Sequence, residues 1–193
     1  HEAVGDWPPG GDAALAGRVA GDAVIRATAL AMAGTVQGIV TAPLDKHALL
    51  LGGHDAPGHT ELLGELTGRR TAMMLAAGSL RVVLATTHIP LRAVHDALTA
   101  ERLRETIAIT REGLRDWFAT PEPRIALCAL NPHAGDGGRF GTEDDTLLAP
   151  VARETGALGP FPADTVFVRA KSGEFDAVIA PYHDVGMTAI KVA

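Results

Sequence analysis

An α/β layered fold with a mixed, mostly parallel sheet is predicted for this chain by three observations. Short apolar runs alternate with segments of helical character along most of its length, the pattern of strand–helix units. Three of those runs stop beside Pro or Gly at a histidine: Arg81-Val-Val-Leu-Ala-Thr-Thr-His88, Arg124-Ile-Ala-Leu-Cys-Ala-Leu-Asn-Pro-His133 and Phe175-Asp-Ala-Val-Ile-Ala-Pro-Tyr-His183. Residues 72–85 read as two strands joined through Gly78-Ser79, an antiparallel hairpin that makes the sheet mixed.

The elements follow in order. Residues 1–10 are rich in Pro and Gly and read as loop, and the Ala-rich residues 12–33 read as a helix. Gln37–Thr41 reads as a strand ending in a turn at Ala42-Pro43. Asp45–Leu51 reads as a short helix stopped by Gly52-Gly53. A loop over His54–Gly58 leads to a helix at Thr60–Leu66. Ala72–Ala76 and Arg81–Ala85 are the hairpin strands, and a helix opens at Pro90–Leu98. From Thr99 to Phe118, Leu103, Ile107, Leu114 and Phe118 recur at helical spacing, so one face is buried, with Thr99 as N-cap. Ile125–Leu130 is a strand. After a glycine-dense loop, Asn131–Gly141, a helix opens at Thr142 with a pattern resembling a capping box. Ala163–Val168 and Ala177–Ala180 read as further strands.

Composition narrows the function classes. With 193 residues, 47% of them apolar, the chain can bury a real core as one good-sized domain or two small ones. A net charge of −6 with no dense Lys/Arg stripe argues against a nucleic-acid surface. No apolar run approaches the ~18 residues of a membrane span. Cys128 is the sole cysteine, so no internal disulfide forms, which suits a reducing, cytoplasmic setting. Its apolar neighbours make it a core thiol. The chain starts at His1 and stops at Ile190-Lys-Val-Ala193, inside what reads as an element, so a piece of a longer protein is expected.

The histidine set carries the chemistry. In open α/β sheets ligands bind past the carboxyl ends of strands. His88, His133 and His183 each stand at such an end, about 45 to 50 residues apart. Three imidazoles suit one divalent transition ion with positions left open for substrate oxygen. The alternative is three unrelated, hydrogen-bonded loop histidines. At Gly58-His59-Thr60-Glu61, a loop-to-helix junction, His59 and Thr60 either contact a phosphate or carboxylate, or Thr60 simply caps the helix. Four glycines between Asn131 and Gly141 allow close backbone approach without matching either nucleotide-binding fingerprint. In Tyr182-His183-Asp184-Val185-Gly186, Asp184 orients an imidazole or binds the ion itself. Lys191 serves as acid/base, pairs with an anionic substrate, or is a solvated surface residue. No Gly-x-Ser-x-Gly supports a serine hydrolase.

Taken together, Val40-Thr-Ala-Pro-Leu-Asp-Lys46, Pro57-Gly-His-Thr-Glu61, Ala72-Met-Met-Leu75, Thr87-His-Ile-Pro-Leu91, Leu130-Asn-Pro-His-Ala-Gly135, Gly159-Pro-Phe-Pro-Ala-Asp-Thr165 and Tyr182-His-Asp184 occur in an order that resembles the 4-hydroxythreonine-4-phosphate dehydrogenase (PdxA) family. The resemblance covers nearly the whole chain. It implies two α/β/α layered domains of isocitrate/isopropylmalate dehydrogenase-like architecture, only partly present here. Residues 1–60 would belong to the first, substrate-side domain. Residues 61–180 would form the second, carrying dimer contacts and metal ligands, and 181–193 would return toward the first. It implies NAD and a divalent cation (Zn, Co, Ni, Mn or Mg), a homodimer with a shared active site, and a small phosphorylated hydroxy-amino acid as substrate. The implied reaction oxidises 4-phospho-hydroxy-L-threonine and decarboxylates it to 3-amino-2-oxopropyl phosphate, in pyridoxal phosphate biosynthesis. His88, His133 and His183 match the metal ligands, one coming from the partner subunit. His59, Thr60 and Lys191 match substrate-binding positions, with Lys191 and Asp184 as the catalytic candidates.

Two departures stand out. Val185 replaces the glutamine usual after Tyr-His-Asp, and both terminal segments of the family are missing, so weak or no catalysis is expected of these residues alone. Competing readings are a related dehydrogenase acting on threonate 4-phosphate or an aromatic cis-dihydrodiol carboxylate, a metal-dependent hydrolase, and a non-catalytic metal-binding or dimerisation module.

Overall fold

The computed structural model of the chain describes residues 11–193; the loop expected at 1–10 lies outside the described residues. Two compact units are present, His1–Thr71 and Ala72–Ala193. The division falls after residue 71, not 60, because the helix at His59–Thr67 packs within the first unit, where Leu62 joins a core with Val24, Leu49 and Ala56.

The first unit is helical: α1 (Ala13–Met32), α2 (Lys46–Leu51) and α3 (His59–Thr67). Asp12 caps α1 by accepting the Ala14 N–H at 2.9 Å, and Asp45 caps α2 through the Ala48 N–H at 2.7 Å. Gly17, Gly21, Val24 and Thr28, spaced by three or four residues, are the buried stripe of α1. At Gly17 the backbones of α1 and α2 nearly touch: a Cβ there would stand 1.6 Å from the Ala48 carbonyl oxygen. The strand expected at Gln37–Thr41 does not form, and Val40 is fully exposed. A strand needs a neighbour to satisfy its ladder, and among the described residues the first unit holds no strand.

The second unit is a five-stranded sheet between two helical layers. Its elements are β1 (Met73–Ala77), β2 (Leu80–Leu84), α4 (Leu91–Ala97), α5 (Ala100–Trp117), β3 (Ile125–Cys128), α6 (Ala149–Thr155), β4 (Leu158–Phe161), α7 (Ala163–Lys171), β5 (Ala177–Ala180) and α8 (His183–Val192). The strand order is β1-β2-β5-β3-β4. Only β1 runs antiparallel, paired with β2 as the expected hairpin; β2–β5, β5–β3 and β3–β4 are parallel. Alternation along the strands fills two cores. On one face Val83, Ile125, Leu127 and Ile179 meet Leu103, Ile107 and Leu114 of α5 and Val151 of α6. On the other, Val82, Leu84, Ala126, Cys128 and Val178 meet Val166 and Ala170 of α7, with Val185 and Ile190 of α8 packed alongside. Thr99 caps α5 by accepting the Arg102 N–H at 3.2 Å.

Three expectations are corrected. Ala163–Val168 is the start of α7, not a strand: Val166 is buried, Val168 is 70% exposed and Ala170 is buried again, a helical period. Asp164 in its first turn and Arg169 and Lys171 in its last suit the helix dipole. The strand of this region is instead β4, paired with β3 through a register shift between Ala126 and Cys128. Phe118 ends the α5 stripe half-exposed, with the Arg81 guanidinium 4.9 Å from its ring centre. Thr142 makes no capping box. A π-helical turn at Asp144–Leu148 leads into α6 without a side-chain cap, because Asp144 is turned inward.

On an open helix, Gly→Ala gains about 1 kcal/mol. At Gly17 the clash with the Ala48 backbone outweighs that gain, so Gly17→Ala should lose about 1–3 kcal/mol. A urea midpoint at or above that of the parent would contradict the close crossing of α1 and α2.

Candidate active site

The site is built where three parallel strands end. β5 lies between β2 and β3, so the residues that follow all three emerge from one edge of the sheet. Beyond the regular ladder the β2 and β5 ends stay joined. Ala85 N–H donates to the Ala180 carbonyl at 2.9 Å, and the buried Thr86 hydroxyl donates to the Pro181 carbonyl at 2.7 Å. His88 follows on the first strand and His183 opens α8 on the second. Their ring centres lie 5.4 Å apart. The two rings line a cavity of about 120 Å³ with Thr87, Leu91, Tyr182 and Asp184. Asp184 accepts from His183 Nδ1 at 2.7 Å. With Nδ1 as donor, Nε2 keeps its lone pair and is the nitrogen available to a cation.

His133 stands at the end of β3, on a short 3-10 turn over Pro132–Gly135. It lines a separate cavity of about 300 Å³ with Asn131, Ala163, Asp164, Tyr182 and Val185. Burial, with Cys128 and Asp184 nearby, pushes the Tyr182 phenol above its ordinary 10. Among the described residues no group of three or more His, Cys, Asp or Glu side chains is gathered to hold a metal ion. The structure therefore brings together His88 and His183 and leaves His133 apart. The two that meet have the right chemistry for a borderline divalent cation, one ring already oriented by a carboxylate, and need further donors to complete a site.

The loop bearing His133 is strained. His133 (φ 53°), Ala134 (φ 55°) and Asp136 (φ 45°) all adopt left-handed backbone conformations, each costing about 1–3 kcal/mol outside glycine. Buried hydrogen bonds offset that cost. Asp144, 1% exposed, accepts the Leu130 N–H at 2.8 Å and the Asn131 N–H at 3.0 Å on separate carboxylate oxygens. Glu143 accepts the Asn131 side-chain amide at 2.8 Å and lies 3.2 Å from His95 Nε2. Its own backbone N–H, then the Asn131 amide, holds the Glu143 carboxyl below its usual 4.5. Sequence reading missed both carboxylates, since nothing local ties residue 144 to residue 130. Cys128 is a core thiol, pushed up to about 12 chiefly by burial and then by Asp144.

The remaining candidates are Lys191, His59 and Thr60. Lys191 is exposed in the last turn of α8, its Cα about 12 Å along the axis from that of His183 at 1.5 Å per residue. His59 and Thr60 belong to the first unit. Gly58, not Thr60, is the N-cap of α3, and Glu61 stands in its first turn. Thr60 lies inside the first turn, where its carbonyl accepts the Thr71 hydroxyl at 3.0 Å. His59 borders a cavity of about 200 Å³ with Val24, Ile39, Val40 and Leu44.

A doubly wound α/β sheet with imidazoles along its carboxyl edge defines the class of protein. Residues 2–193 match the family described as "Pyridoxal phosphate biosynthetic protein PdxA", and the chain belongs to that family. It is 45% identical over 190 residues to a provisionally named D-threonate 4-phosphate dehydrogenase of Bradyrhizobium diazoefficiens, covering 95% of this chain and 55% of that protein. It is 47% identical over 176 residues to a 4-hydroxythreonine-4-phosphate dehydrogenase of Geobacter metallireducens, covering 88% of this chain and 52% of that protein. The crystal structure of a 4-hydroxythreonine-4-phosphate dehydrogenase from Klebsiella pneumoniae superposes with a TM-score of 0.87 at 44% identity, covering 96% of this chain and 58% of that one. The chain thus spans about half the length of the relatives it matches. No helix among the described residues is long and apolar enough to cross a membrane.

The Glu143 shift sets a pH dependence. A carboxyl whose folded value is depressed contributes stability above its unfolded value, near 4.5, and loses it as pH falls through the lower folded value. Glu143→Gln should therefore narrow the stability lost between pH 5 and more acid conditions, read as thermal midpoint against pH. Parallel profiles for parent and variant would contradict the assignment.

Proposed function

We propose that this chain forms part of an NAD-dependent, divalent-metal-dependent dehydrogenase that oxidises 4-phospho-hydroxy-L-threonine and yields 3-amino-2-oxopropyl phosphate and CO₂, in pyridoxal phosphate biosynthesis. The observation that carries this reading is the pair of imidazoles, 5.4 Å apart, at the adjoining ends of two parallel strands in a chain of the PdxA family. His88, His133 and His183 are the ligands, one of them from the partner subunit, so the working form is a homodimer with a shared site. Asp184 holds the His183 ring. A bound divalent cation (Zn, Co, Ni, Mn or Mg) supplies positive charge beside the substrate oxygen as negative charge develops there. NAD⁺, when bound, would supply the hydride acceptor for C3. Lys191, or a water, takes the hydroxyl proton and returns a proton to carbon after CO₂ leaves. His59 and Thr60, in the first turn of α3, are the first unit's candidates for contact with an anionic group. A free, buried thiol at Cys128 suits a cytoplasmic enzyme.

A second reading keeps the chemistry and changes the substrate. Val185 places an apolar side chain in the cavity bordered by His133 and Tyr182. One relative is named for D-threonate 4-phosphate. A further structural neighbour, from Burkholderia xenovorans LB400 at 28% identity and a TM-score of 0.76, is a terephthalate 1,2-cis-dihydrodiol dehydrogenase.

The test is NADH formation by the full-length protein with 4-phospho-hydroxy-L-threonine, D-threonate 4-phosphate and an aromatic cis-dihydrodiol carboxylate. Turnover of the first supports the leading reading. Turnover of another alone transfers the assignment, and turnover without NAD⁺ indicates a hydrolase. Lys191→Ala should lower kcat by about 10²–10⁴-fold with metal content unchanged, whereas His183→Ala should lower both. An undiminished kcat in Lys191→Ala would remove that lysine from proton transfer.

A further inference from the structure

We propose that Asp144 is a positioning residue for His133, acting with Glu143 through Leu130 and Asn131 to fix the loop on which that imidazole is carried. The inference rests on reading His133 as a site residue, and it adds what holds the residue in place.

The geometry is specific. The ladder of β3 ends at Cys128, and Ala129 N–H makes a last strand-like bond to the Phe161 carbonyl at 2.8 Å. The next two backbone donors, on Leu130 and Asn131, have no strand beside them. Asp144 supplies one oxygen to each, at 2.8 and 3.0 Å, and so replaces the missing strand for two residues. This side chain is almost wholly buried, where a polar group is costly unless its hydrogen bonds are made. The neighbouring carboxylate repeats the arrangement nearer the surface: Glu143 takes the Asn131 side chain at 2.8 Å, and His95 of α4 lies 3.2 Å from its second oxygen. Asn131 is thus held by backbone and side chain at once. Two residues later His133 enters the left-handed region, followed by Ala134 and Asp136. A loop with three such non-glycine residues needs an external hold on its start, because each favours returning to negative φ.

Simple anchoring of the segment before α6 would use the same hydrogen bonds. The two roles differ in what they control. Anchoring alone moves stability, whereas positioning also moves the function of His133.

The experiment uses the full-length protein with Co²⁺ alone as probe. Asp144→Asn, Glu143→Gln and His133→Ala are compared by hydrogen exchange of residues 129–141 and by the affinity and absorption spectrum of bound Co²⁺. Asp144→Asn presents an amide donor where the backbone donates. It should speed exchange at 130–136 at least tenfold and weaken Co²⁺ at least tenfold, with a spectrum shifted toward that of His133→Ala. Glu143→Gln, at a partly exposed site, should change both in the same direction by less, and it carries the test if Asp144→Asn does not fold. Faster exchange with parental Co²⁺ binding, in a protein where His133→Ala does weaken Co²⁺, overturns the positioning role. Should His133→Ala leave Co²⁺ binding untouched, the ligand reading of His133 fails and the positioning role is overturned with it; parental exchange in both carboxylate variants overturns the clamp itself.

Discussion

The parallel pairing of β5 with both of its neighbours is the constraint on which the rest of the second unit depends. Val82, Val83 and Leu84 of β2 pair with Val178, Ile179 and Ala180, while Ile125, Ala126 and Leu127 of β3 pair with Ala177, Val178 and Ile179. Residues far apart in sequence are thereby set side by side and in step. Each strand then ends at the same height, and each hands the chain to a loop or helix carrying an imidazole. Were any one of these strands antiparallel, its histidine would sit at the opposite edge of the sheet.

Packing against the sheet refines that placement. α8 begins at His183 and lies directly on β2 and β5. Its Gly186 is buried so closely that a Cβ would come 2.6 Å from a Leu84 methyl and 3.0 Å from the Ala180 Cβ. That close approach sets the first turn of α8, and with it His183, beside the end of β2 where His88 begins. The opposite face, filled by α5 and α6, holds the sheet from behind through Leu103, Ile107, Leu114 and Val151. α6 follows the turn that carries Asp144, so the same packing delivers the buried carboxylate to the end of β3. Core packing and site assembly therefore share elements, and changes at Leu148 or Val151 will be felt at the Asn131 loop.

Much of this was legible in the sequence because strand ends are marked locally. Apolar runs closing on Pro or Gly located β2, β3 and β5, and the three histidines stood out by their repeated position. Thr99 and its apolar stripe located α5 for the same reason: cap and period are both local. The failures were also local in kind. Val166 and Val168 are β-branched and looked like strand, yet tertiary burial at Val166 and Ala170 selected helix. Val40 and its neighbours looked like strand and found no partner among the described residues of their unit. What no local pattern reveals is distance. That His88 and His183 meet, that His133 does not join them within one chain, and that Asp144 reaches Leu130 are consequences of sheet order and helix seating alone.

The most direct measurement is X-ray absorption at the metal edge of the Zn²⁺-loaded full-length protein. Scattering from three imidazoles per ion, falling to two on His133→Ala and His88→Ala alike, is the predicted result. An ion bound without imidazole scattering, or a donor count indifferent to these histidines, would contradict the proposal that the three imidazoles hold one cation in the dimer.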